Sequence, residues 1–454
     1  MSVTITFLGG TGTVTGSKYL VQHADQKLLV DCGLFQGYKQ LRLRNWNPLH
    51  VAPKEINAVV LTHAHLDHSG YIPLIYAQGY RGKVHASAAT CDLCNILLPD
   101  SGHIQEEDAE FLNRHGYSKH EPALPLYDKH QAIQSLGLLK PESMGKPFSP
   151  IAGWKVTLSS AGHILGASSV LVEVAGRRIL FSGDLGRPDD LLMPPPDQPP
   201  LADTVLIEST YGNREHPEDN VIAELGNALK KVSARGGVAV IPVFAVGRAQ
   251  AILYAISLLK ERGDIPHGLP VFLDSPMAVH TTELYKKHPH AHRLNAQGIR
   301  DLENIATMIE STDQSKKLAS RHGPMVILAA SGMATGGRVL HHLAHYLPNH
   351  RNMVILTGYQ APGTRGATLA NGSGVVRIHS KDIQINAEVV QLQSSSAHAD
   401  AVQLVQWLRS MKEAPSQVYV VHGEPEASDA LRQRIHQSLG WRALVPEHGS
   451  TWPT

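Results

Sequence analysis

The stretch INAVVLTHAHLDH, residues 56–68, joins an apolar run to four metal-ligand side chains that lie within six residues. The run INAVVLT predicts a strand that is covered on both faces, because its apolar residues do not alternate with polar ones. In an extended chain, His63 and His65 project to the same side. A turn into a following helix then brings Asp67 and His68 to a neighbouring point.

This arrangement of imidazole and carboxylate groups is typical of a metal site. Zn²⁺ binds nitrogen and oxygen ligands of this kind, and the box contains no thiolate. A tight HxHxDH at the end of a strand supplies ligands for two adjacent ions better than for one. The alternative is a chance cluster in a polar loop, since the chain holds 27 histidines. The position directly after a strand argues against chance.

Other polar residues also end apolar runs. Asp31 ends LLVD, Asp184 ends RRILFSGD, His422 ends VYVVH, and His163 lies within SSAGHILGAS. Each one alone would be interpreted as a turn residue. An Asp that precedes Gly, for example, is more often part of a turn than of a site. Together with the HAHLDH box they indicate a single site built at the edge of a sheet.

Length and composition exclude several classes of protein. The chain has 454 residues, of which 42% are hydrophobic and 18% charged, so it can bury a large core and is not disordered. A net charge of +1 excludes strong attraction of the whole molecule to nucleic acid or an anionic membrane. Three cysteines are too few for a disulfide framework and suit a reducing, cytoplasmic compartment. The lack of any apolar run of about 18 residues predicts no transmembrane helix and no membrane partner.

The strand pattern changes along the chain. Short strands bounded by Gly, Thr and Ser turns fill the first half and favour stacked sheets with helices outside, an αββα sandwich. Residues 192–200 hold five prolines and predict an extended connector. Beyond them, apolar strands alternate with helical patterns, which predicts a mostly parallel α/β sheet. Strand patterns return near 383–392 and 417–421.

Asp31, the HAHLDH box, His163 and Asp184 occur in the order of the metallo-β-lactamase superfamily of di-zinc hydrolases, which the sequence resembles. The resemblance implies two zinc ions, although Mn²⁺ can also enter such nitrogen and oxygen sites. The residues that it assigns are His63, His65 and His163 to the first ion, Asp67 and His68 to the second, Asp184 to the bridge between them and Asp31 to the support of the ligands.

The remaining ligand of the second ion, His422, comes 238 residues after Asp184, with a whole α/β unit between them. This arrangement is similar to the β-CASP branch of the superfamily, whose members are nucleases. Further blocks that match this branch are residues 207–212, 242–250, 331–338, 358–365, 396–400 and 421–424. The resemblance implies a metallo-β-lactamase αββα sandwich formed by residues 1–205 and 376–454. It places an inserted, mostly parallel β-CASP α/β domain at residues 206–375.

His422 also bears on the substrate, because members of this branch that act on RNA have His there, whereas DNA-directed relatives usually have Val. The sequence is similar to the endonuclease subunit of the eukaryotic cleavage and polyadenylation specificity factor and to compact bacterial homologues. This implies hydrolysis of single-stranded RNA by an endonuclease in RNA processing or decay, with 5′-exonuclease activity as an additional option. A homodimer is left open as the oligomeric state.

Motifs of the same branch map onto Glu208 and His398. We expect His398 to protonate the leaving oxygen while Glu208 binds its far ring nitrogen and stabilises the imidazolium form. Asp67 is expected to orient the attacking water in addition to its role as a ligand. The alternative for His398 is that it only caps the helix that begins near Asp400.

Substrate positioning requires cations and hydrogen-bond donors that face the phosphates. Arg is suited to bidentate phosphate contacts, and loops of Ser and Gly bind phosphate through hydroxyl and amide groups. The residues predicted to bind substrate phosphates are Arg248, Ser331, Gly332, Arg338, Arg365 and Ser396, the last of these within the serine run 394–396.

Other functional classes fit the sequence less well. A di-zinc hydrolase of small esters or lactones is disfavoured by the large insertion, and a DNA-directed nuclease by His422. A non-catalytic scaffold is disfavoured because all seven ligand residues are present. The GGTG sequence at residues 9–12 is not followed by a dinucleotide-binding unit. Cys91 and Cys94 lack a second cysteine pair and are predicted to pack in the interior.

Overall fold

The structure is a computed structural model that describes residues 2–116, 120–217, 220–358, 360–361, 363–392 and 396–454. The chain forms two compact units. Met1–Glu215 and His398–Thr454 make up the first unit, and His216–Ala397 make up the inserted unit. Within the described ranges, every helix is too short or too polar to span a bilayer.

Strands alternate with helices over most of the chain. The strands are β1 (Val3–Phe7), β2 (Tyr19–His23), β3 (Gln26–Val30), β4 (Ala58–Val60), β5 (Lys83–Ser87), β6 (Leu139–Glu142), β7 (Lys155–Ser160), β8 (Ser168–Val174), β9 (Arg177–Phe181), β10 (Thr204–Ile207), β11 (Val238–Pro242), β12 (Val271–Asp274), β13 (Thr307–Met308), β14 (Met325–Ala329), β15 (Met353–Thr357), β16 (Val375–Ile378), β17 (Lys381–Gln384), β18 (Glu388–Leu392), β19 (Gln417–Val420), β20 (Ala443–Leu444) and β21 (Thr451–Pro453). The helices are α1 (Lys39–Leu43), α2 (Leu66–Ser69), α3 (Ile72–Ala77), α4 (Ala88–His115), α5 (Lys129–Ser135), α6 (Val221–Ala234), α7 (Arg248–Glu261), α8 (Pro276–Lys287), α9 (Ala296–Asn304), α10 (Thr312–Ala319), α11 (Val339–Tyr346), α12 (Arg365–Ala370), α13 (Ala401–Arg409) and α14 (Pro425–Leu439).

Two sheets form the framework of the first unit. One has seven strands in the order β21-β1-β2-β3-β4-β5-β6, and the other has six in the order β20-β19-β10-β9-β8-β7. In the first sheet, β1 to β3 pair antiparallel, whereas β3 to β6 pair parallel. In the second sheet, β10 pairs parallel with both β9 and β19. The parallel strands therefore carry their carboxyl ends to one edge of each sheet, where the polar residues that follow them can meet.

The two sheets pack face to face over one hydrophobic core. Ile5, Val21 and Val60 from the seven-stranded sheet belong to the same buried cluster as Val172 and Phe181 from the six-stranded sheet. Helix α4 packs on β5 and β6, and helix α14 packs on β19 and β20. The helices therefore cover the outer faces, and the predicted αββα sandwich is confirmed.

The inserted unit is a parallel α/β structure. Its main sheet has the order β13-β12-β14-β11-β15-β18, and all neighbouring strands are parallel. The central strands VAVIP, MVILA and MVILT are buried at every position, which is characteristic of strands with helices on both faces. Strands β16 and β17 form a separate antiparallel hairpin. The mostly parallel inserted sheet predicted from the sequence is thus present.

The divisions between the units differ from the sequence-based ones, which fall after residues 205 and 375. The units divide after Glu215 and after Ala397. Strand β10 pairs with β9 and β19 and so belongs to the first unit. Strand β18, which the sequence pattern assigns to the closing part of the sandwich, instead extends the inserted sheet next to β15. Strand pairing across long sequence separations sets these divisions, and local patterns do not contain that information.

Candidate metal centre

The seven ligand-type residues all follow strands of the first unit or lie in loops between them. His63, His65, Asp67 and His68 come after β4 and on α2, and the other three are His163 between β7 and β8, Asp184 after β9 and His422 after β19. Five of the seven are buried, whereas His65 and Asp67 are half-buried, and 19% of the Asp67 side chain is accessible. The structure brings all seven together in two adjoining groups.

The first group consists of His63, His65, His163 and Asp184, whose ligand atoms lie within 4.8 Å of one another. His65 Nδ1 is 3.1 Å from His63 Nε2 and 3.3 Å from His163 Nε2. Asp184 Oδ2 is 3.5 Å from His63 Nε2 and 3.7 Å from His163 Nε2. A tetrahedral ion with bonds of about 2.0–2.1 Å separates its ligand atoms by about 3.3–3.4 Å, so the four atoms fit the coordination shell of zinc.

The second group consists of Asp67, His68 and His422. Asp67 Oδ2 is 3.9 Å from the Nε2 atoms of both His68 and His422. Asp184 joins this group through its other oxygen, because Oδ1 lies 3.2 Å from His68 Nε2 and 3.5 Å from His422 Nε2. The Asp184 carboxylate therefore faces one group with each of its oxygens.

Two buried atoms at this point have no hydrogen-bond partner among the described residues: His68 Nε2 and Asp184 Oδ1. Polar atoms that are buried without a partner are rare and costly in folded proteins. Both atoms are metal-ligand types, and they face each other across 3.2 Å. A cation between them would satisfy both, so the donor set fits a bound metal.

The far ring nitrogens of these histidines are held by hydrogen bonds. His68 Nδ1 donates to Asp31 Oδ2 at 2.8 Å, and Thr62 donates to both oxygens of Asp31 through its backbone amide and its hydroxyl. His63 Nδ1 lies 3.0 Å from the same Thr62 hydroxyl. Partners of this kind fix the ring orientation and the tautomer that leaves Nε2 for a metal. Asp31 thus lies against His68, one of the ligands that it is predicted to support, and its role stays a prediction.

A short loop at the start of the chain, residues 9–17, supports His422. The Nδ1 atom of His422 lies 2.8 Å from Ser17 Oγ, and its backbone amide donates to Gly10 O at 2.6 Å. Sequence reasoning missed Ser17 and Thr62 as positioning residues. Thr62 could have been found from its place directly before His63, whereas Ser17 and His422 are 405 residues apart and no local pattern links them.

Gly33 shows why the loop after β3 requires glycine. A Cβ at this position would overlap the carbonyl oxygen of Asp67. The absence of a side chain allows the segment after Asp31 to run directly against the HAHLDH turn. The Gly33 amide donates to Ser17 O and the Ser17 amide donates to Asp67 O. Three parts of the chain that support the site are therefore connected by backbone contacts.

His398 lies beside the metal-ligand groups and pairs with Glu208. Its Nδ1 is 3.1 Å and 3.2 Å from the two carboxylate oxygens of Glu208, and Asp184, Glu208 and His398 form a third close group. Glu208 is fully buried, and its Oε1 also accepts a hydrogen bond from the Leu185 amide. Helix α13 is capped by Asp400, whose carboxylate accepts from the Gln403 amide. The cap of this helix is thus a different residue from His398.

The electrostatics of the site separate the histidines into those with a lowered pKa and those with a raised one. For His68, burial lowers the pKa, but the carboxylates of Asp184 and Asp31 outweigh burial and raise the pKa well above its usual value. Burial lowers the pKa of His65 to about 4 and that of His63 well below its usual value, so both are neutral and able to ligate. For His398, burial lowers the pKa, but the Glu208 carboxylate outweighs it and raises the pKa to about 9. His398 is therefore protonated at neutral pH. For Asp184, burial raises the pKa, and the surrounding histidines, led by His422, lower it well below its usual value.

All six residues predicted to bind substrate phosphates lie in the inserted unit, and both Arg338 and Arg365 form contacts within it. Arg338 donates to Asp274 Oδ1 at 2.8 Å and to the carbonyls of Ile309 and Glu310. Arg365 donates to the carbonyls of Arg377 at 2.7 Å and Thr335 at 3.0 Å.

The serine and glycine positions of this prediction are placed as follows. The hydroxyl of Ser331 accepts from the amides of Thr335 and Gly336, and Gly332 packs against Phe244. Arg248 is the first residue of α7, and Ser396 is buried. Ser394 and Ser395 lie outside the described residues. Phosphate binding by these positions stays a prediction.

The cysteine pair on α4 is buried, as predicted. Cys91 and Cys94 are both free, and burial raises the pKa of the Cys91 thiol to about 12. A thiol with a raised pKa is a poor metal ligand and a poor nucleophile.

Three family profiles match the chain. "Metallo-beta-lactamase superfamily" matches residues 11–81, "Beta-Casp domain" matches residues 249–369, and "Zn-dependent metallo-hydrolase RNA specificity domain" matches residues 382–446. The first contains the HAHLDH box, and the third contains His398 and His422.

Several relatives are similar over nearly the whole chain. Ribonuclease TTHA0252 of Thermus thermophilus is 37% identical over 431 residues, which cover 93% of this chain and 94% of the relative. Transcription termination factor FttA of Methanocaldococcus jannaschii is 31% identical over 461 residues, covering 98% of this chain and 70% of the relative. An RNase J-like protein of the same organism is 30% identical over 460 residues, covering 99% of this chain and all of the relative.

A solved structure also matches. A crystal structure of a protein of unknown function from Enterococcus faecalis V583 covers the full length of both chains with a TM-score of 0.54 and 15% identity. At this level of identity, the match shows a shared fold alone.

Proposed function

Because this chain belongs to the β-CASP branch of the metallo-β-lactamase superfamily, we propose that it is a di-zinc phosphodiesterase that cuts single-stranded RNA. The chain is a metal-dependent ribonuclease of this family that acts in RNA processing. The proposal adds that the cut is endonucleolytic, that 5′-exonuclease activity accompanies it, and that the metal centre uses two ions.

One observation carries the proposal: the Asp184 carboxylate faces three histidines with one oxygen and a second ligand group with the other. A single ion would use only one of these groups and would leave the remaining buried imidazoles and carboxylate without a partner. The first ion would be held by His63, His65, His163 and Asp184, and the second by Asp67, His68, His422 and Asp184. When bound, the metal pair supplies a nucleophile at neutral pH and neutralises charge on the phosphate oxygens.

The protein's own residues would handle the protons. Asp67, whose carboxylate is 19% accessible to solvent, is placed to orient the attacking water. His398 holds the proton that the leaving oxygen requires, since its pKa of about 9 keeps it protonated at neutral pH. Glu208 binds its Nδ1 and leaves Nε2 as the donor. The attacking water and the leaving group would then be served by different residues, Asp67 and His398.

RNA is favoured over DNA and over small esters by the sequence around His398 and His422. Both residues lie in the segment that matches the RNA specificity domain. The relative with the highest identity given above is named a ribonuclease, and it covers nearly the same length.

The test is a cleavage assay with three substrates. The purified protein is incubated with end-labelled single-stranded RNA, single-stranded DNA and a thioester, each with and without a chelator. We expect internal cuts in the RNA that stop on chelation and resume when Zn²⁺ is restored. Cleavage that persists in chelator would reject the metal mechanism, and faster turnover of the thioester would make this a small-molecule hydrolase. Metal analysis of the protein as isolated should give two zinc ions per chain.

A further inference from the structure

Residues 38–46 form an exposed segment that is both aromatic and basic, and we call it the basic aromatic segment. Tyr38 and Trp46 are 52% and 56% exposed, and Leu43 is exposed as well. The segment contains α1, which buries none of its residues. It carries Lys39, Arg42 and Arg44, and no Asp or Glu occurs between Asp31 and Glu55. Exposed large aromatics beside cations are unusual on a surface that serves only solubility.

The backbone of this segment is fixed. Asn45 is buried, and its side chain exchanges two hydrogen bonds with the backbone of Phe35, at 2.9 Å and 2.8 Å. The Tyr71 hydroxyl donates to the Asn45 carbonyl. Tyr38 and Trp46 therefore project from an ordered scaffold, and their exposure does not come from a loose loop.

A cavity of about 70 Å³ lies next to the segment and is also lined by cationic and imidazole side chains. Its lining includes Lys18, Arg44, His50 and His448, with Phe35 between them, and none of its lining residues is acidic. Arg44 lies 5.6 Å from the centre of the Phe35 ring, and the His448 ring contacts the same ring edge-on.

The cavity holds positive charge without a counter-ion. Lys18 is buried, donates to Gly33 O, and lies 4.5 Å and 4.7 Å from the rings of Phe35 and Tyr71. Neither Lys18 nor Arg44 pairs with a carboxylate in the part of the chain that the structure describes. Burial lowers the pKa of His448, and the charges of Arg44, His50 and Lys18 lower it further. Burying cations without acids is costly, and a bound anion removes that cost.

We propose that this cavity and the basic aromatic segment form a binding site for single-stranded RNA. The cavity takes a backbone phosphate, and Tyr38 and Trp46 stack on neighbouring bases. Stacking on aromatic side chains beside a positive groove is how proteins hold single strands without reading their sequence. The inference rests on the proposed function, since it adds a docking site to an RNA-cleaving protein.

The experiment measures binding of a fluorescein-labelled single-stranded RNA of about 20 nucleotides by anisotropy, with the full chain and in the presence of chelator. The variants are Trp46→Ala, Trp46→Phe and Arg44→Ala. Arg434→Ala is the matched control, because this arginine has a similar exposure in the same unit and pairs with Glu215. Arg44 is preferred over Arg42, because Arg42 lies within the field of Asp108.

We expect Trp46→Ala to weaken binding by about 5- to 100-fold and Trp46→Phe to restore most of it, as stacking requires. Arg44→Ala should lower the slope of log affinity against log salt by about 0.7, the value for one phosphate contact with a single strand. Arg434→Ala should bind as the wild type does. Unchanged affinity in Trp46→Ala, or an unchanged slope in Arg44→Ala, overturns the site.

Competition with inorganic phosphate tests whether the cavity binds a phosphate group of the RNA. At an ionic strength matched with chloride, phosphate should compete with RNA in the wild type and not in Arg44→Ala. If phosphate weakens RNA binding no more than chloride does, in the wild type and in Arg44→Ala alike, the cavity does not bind a phosphate and this part of the proposal is wrong. Because binding is measured without metal, a protein that binds RNA as expected and fails to cut it would contradict the proposed function and leave this site intact.

Discussion

Asp184 in the first unit and Asp274 in the inserted unit are both buried aspartates at or just beyond the end of a strand, yet their surroundings differ. Asp274 accepts hydrogen bonds from Ser315 Oγ at 2.5 Å, Arg338 Nη1 at 2.8 Å and His342 Nε2 at 2.6 Å. Asp184 faces imidazole Nε2 atoms at 3.2–3.7 Å, and its Oδ1 has no hydrogen-bond partner among the described residues. The chain itself supplies the donors for one carboxylate, whereas the other is arranged for a cation.

A carboxylate that is compensated by the chain's own donors differs in this way from a carboxylate that is proposed to bind a metal. Arg and Ser supply protons to Asp274, so its charge is compensated inside the protein. Among the histidines around Asp184, His68 and His422 have their far nitrogens occupied by Asp31 and Ser17, which leaves their Nε2 lone pairs facing the carboxylate. A carboxylate surrounded by lone pairs is stable only with a metal or with added protons.

The largest effect is expected from Asp184→Asn. Losing the bridging charge should reduce bound zinc from two ions to one or none and lower RNA cleavage by about 10³-fold or more, since metal charge stabilisation is worth several kcal/mol. Metal content by atomic emission and single-turnover cleavage check this. The matched variant is Asp274→Asn, which should keep its zinc. If both variants keep two ions, the difference between the carboxylates disappears.

Next in size is His398→Ala, which tests the residue beside the metal centre. Zinc content should stay near that of the wild type, while turnover falls by about 10²–10⁴-fold, the range for a lost general acid. His85→Ala is a suitable control, because His85 forms a similar pair with Glu142 at 2.8 Å in the same unit away from the ligands. Zinc loss in His398→Ala would place this residue among the ligands.

Asp274→Asn should lower the free energy of unfolding, whereas Asp184→Asn should lower the metal content. Removing one partner from a buried charged network costs about 3–5 kcal/mol, because Arg338 and His342 lose their acceptor. Unfolding in denaturant, followed by a signal that reports on the inserted unit, measures this change. Asp264→Asn in the same unit serves as the control, since its pair with Lys230 is exposed and should contribute less than about 1 kcal/mol. If Asp274→Asn unfolds with the same free energy as the wild type, the hydrogen-bond network around Asp274 does not stabilise the inserted unit.

The sequence predicts one half of this comparison well and the other poorly. The HAHLDH box is recognisable because four ligand types follow one strand, and the strand-end residues Asp31, Asp184 and His422 converge in the fold as parallel strands require. Asp274 ends its strand just as Asp184 follows its own, and only the positions of Arg338 and His342, on another segment, separate the two. Hydrogen-bond partners that are distant in sequence leave no local pattern.

The same reason limits the prediction of the positioning residues and of the domain divisions. Ser17 reaches His422 only after both sheets have assembled. The assignment of β10 and β18 to their sheets likewise depends on neighbours that lie far along the chain. The three side-chain hydrogen bonds of Arg338 likewise join it to residues far along the chain, within the inserted unit, while its role as a phosphate ligand stays a prediction.

A smaller effect is expected from Ser17→Ala, which leaves all ligands in place. Removing the partner of His422 Nδ1 should weaken zinc affinity by about 10- to 100-fold, as changes next to metal ligands do. Competition with a chromophoric chelator measures the affinity of each ion. Ser135→Ala is the control, because this buried serine donates to a carbonyl of its own helix, far along the chain from the ligands. Unchanged affinity for both ions would mean that the first loop holds His422 through its backbone alone.

The smallest effect is expected at low pH, where protonation of Asp274 should reduce the free energy of unfolding. Burial raises the pKa of this carboxyl, but hydrogen bonds from His342, Ser315 and Arg338 outweigh burial and hold the pKa below its usual value. A depressed pKa adds stability above the unfolded value of about 3.9 and loses it as pH falls through the folded value. The difference in unfolding free energy between the wild type and Asp274→Asn should therefore stay constant at neutral pH and shrink below about pH 4. Measured on metal-free protein, this narrowing isolates Asp274 from the zinc ligands, and a difference that grows as the pH falls would mean that its donors do not stabilise the charged form.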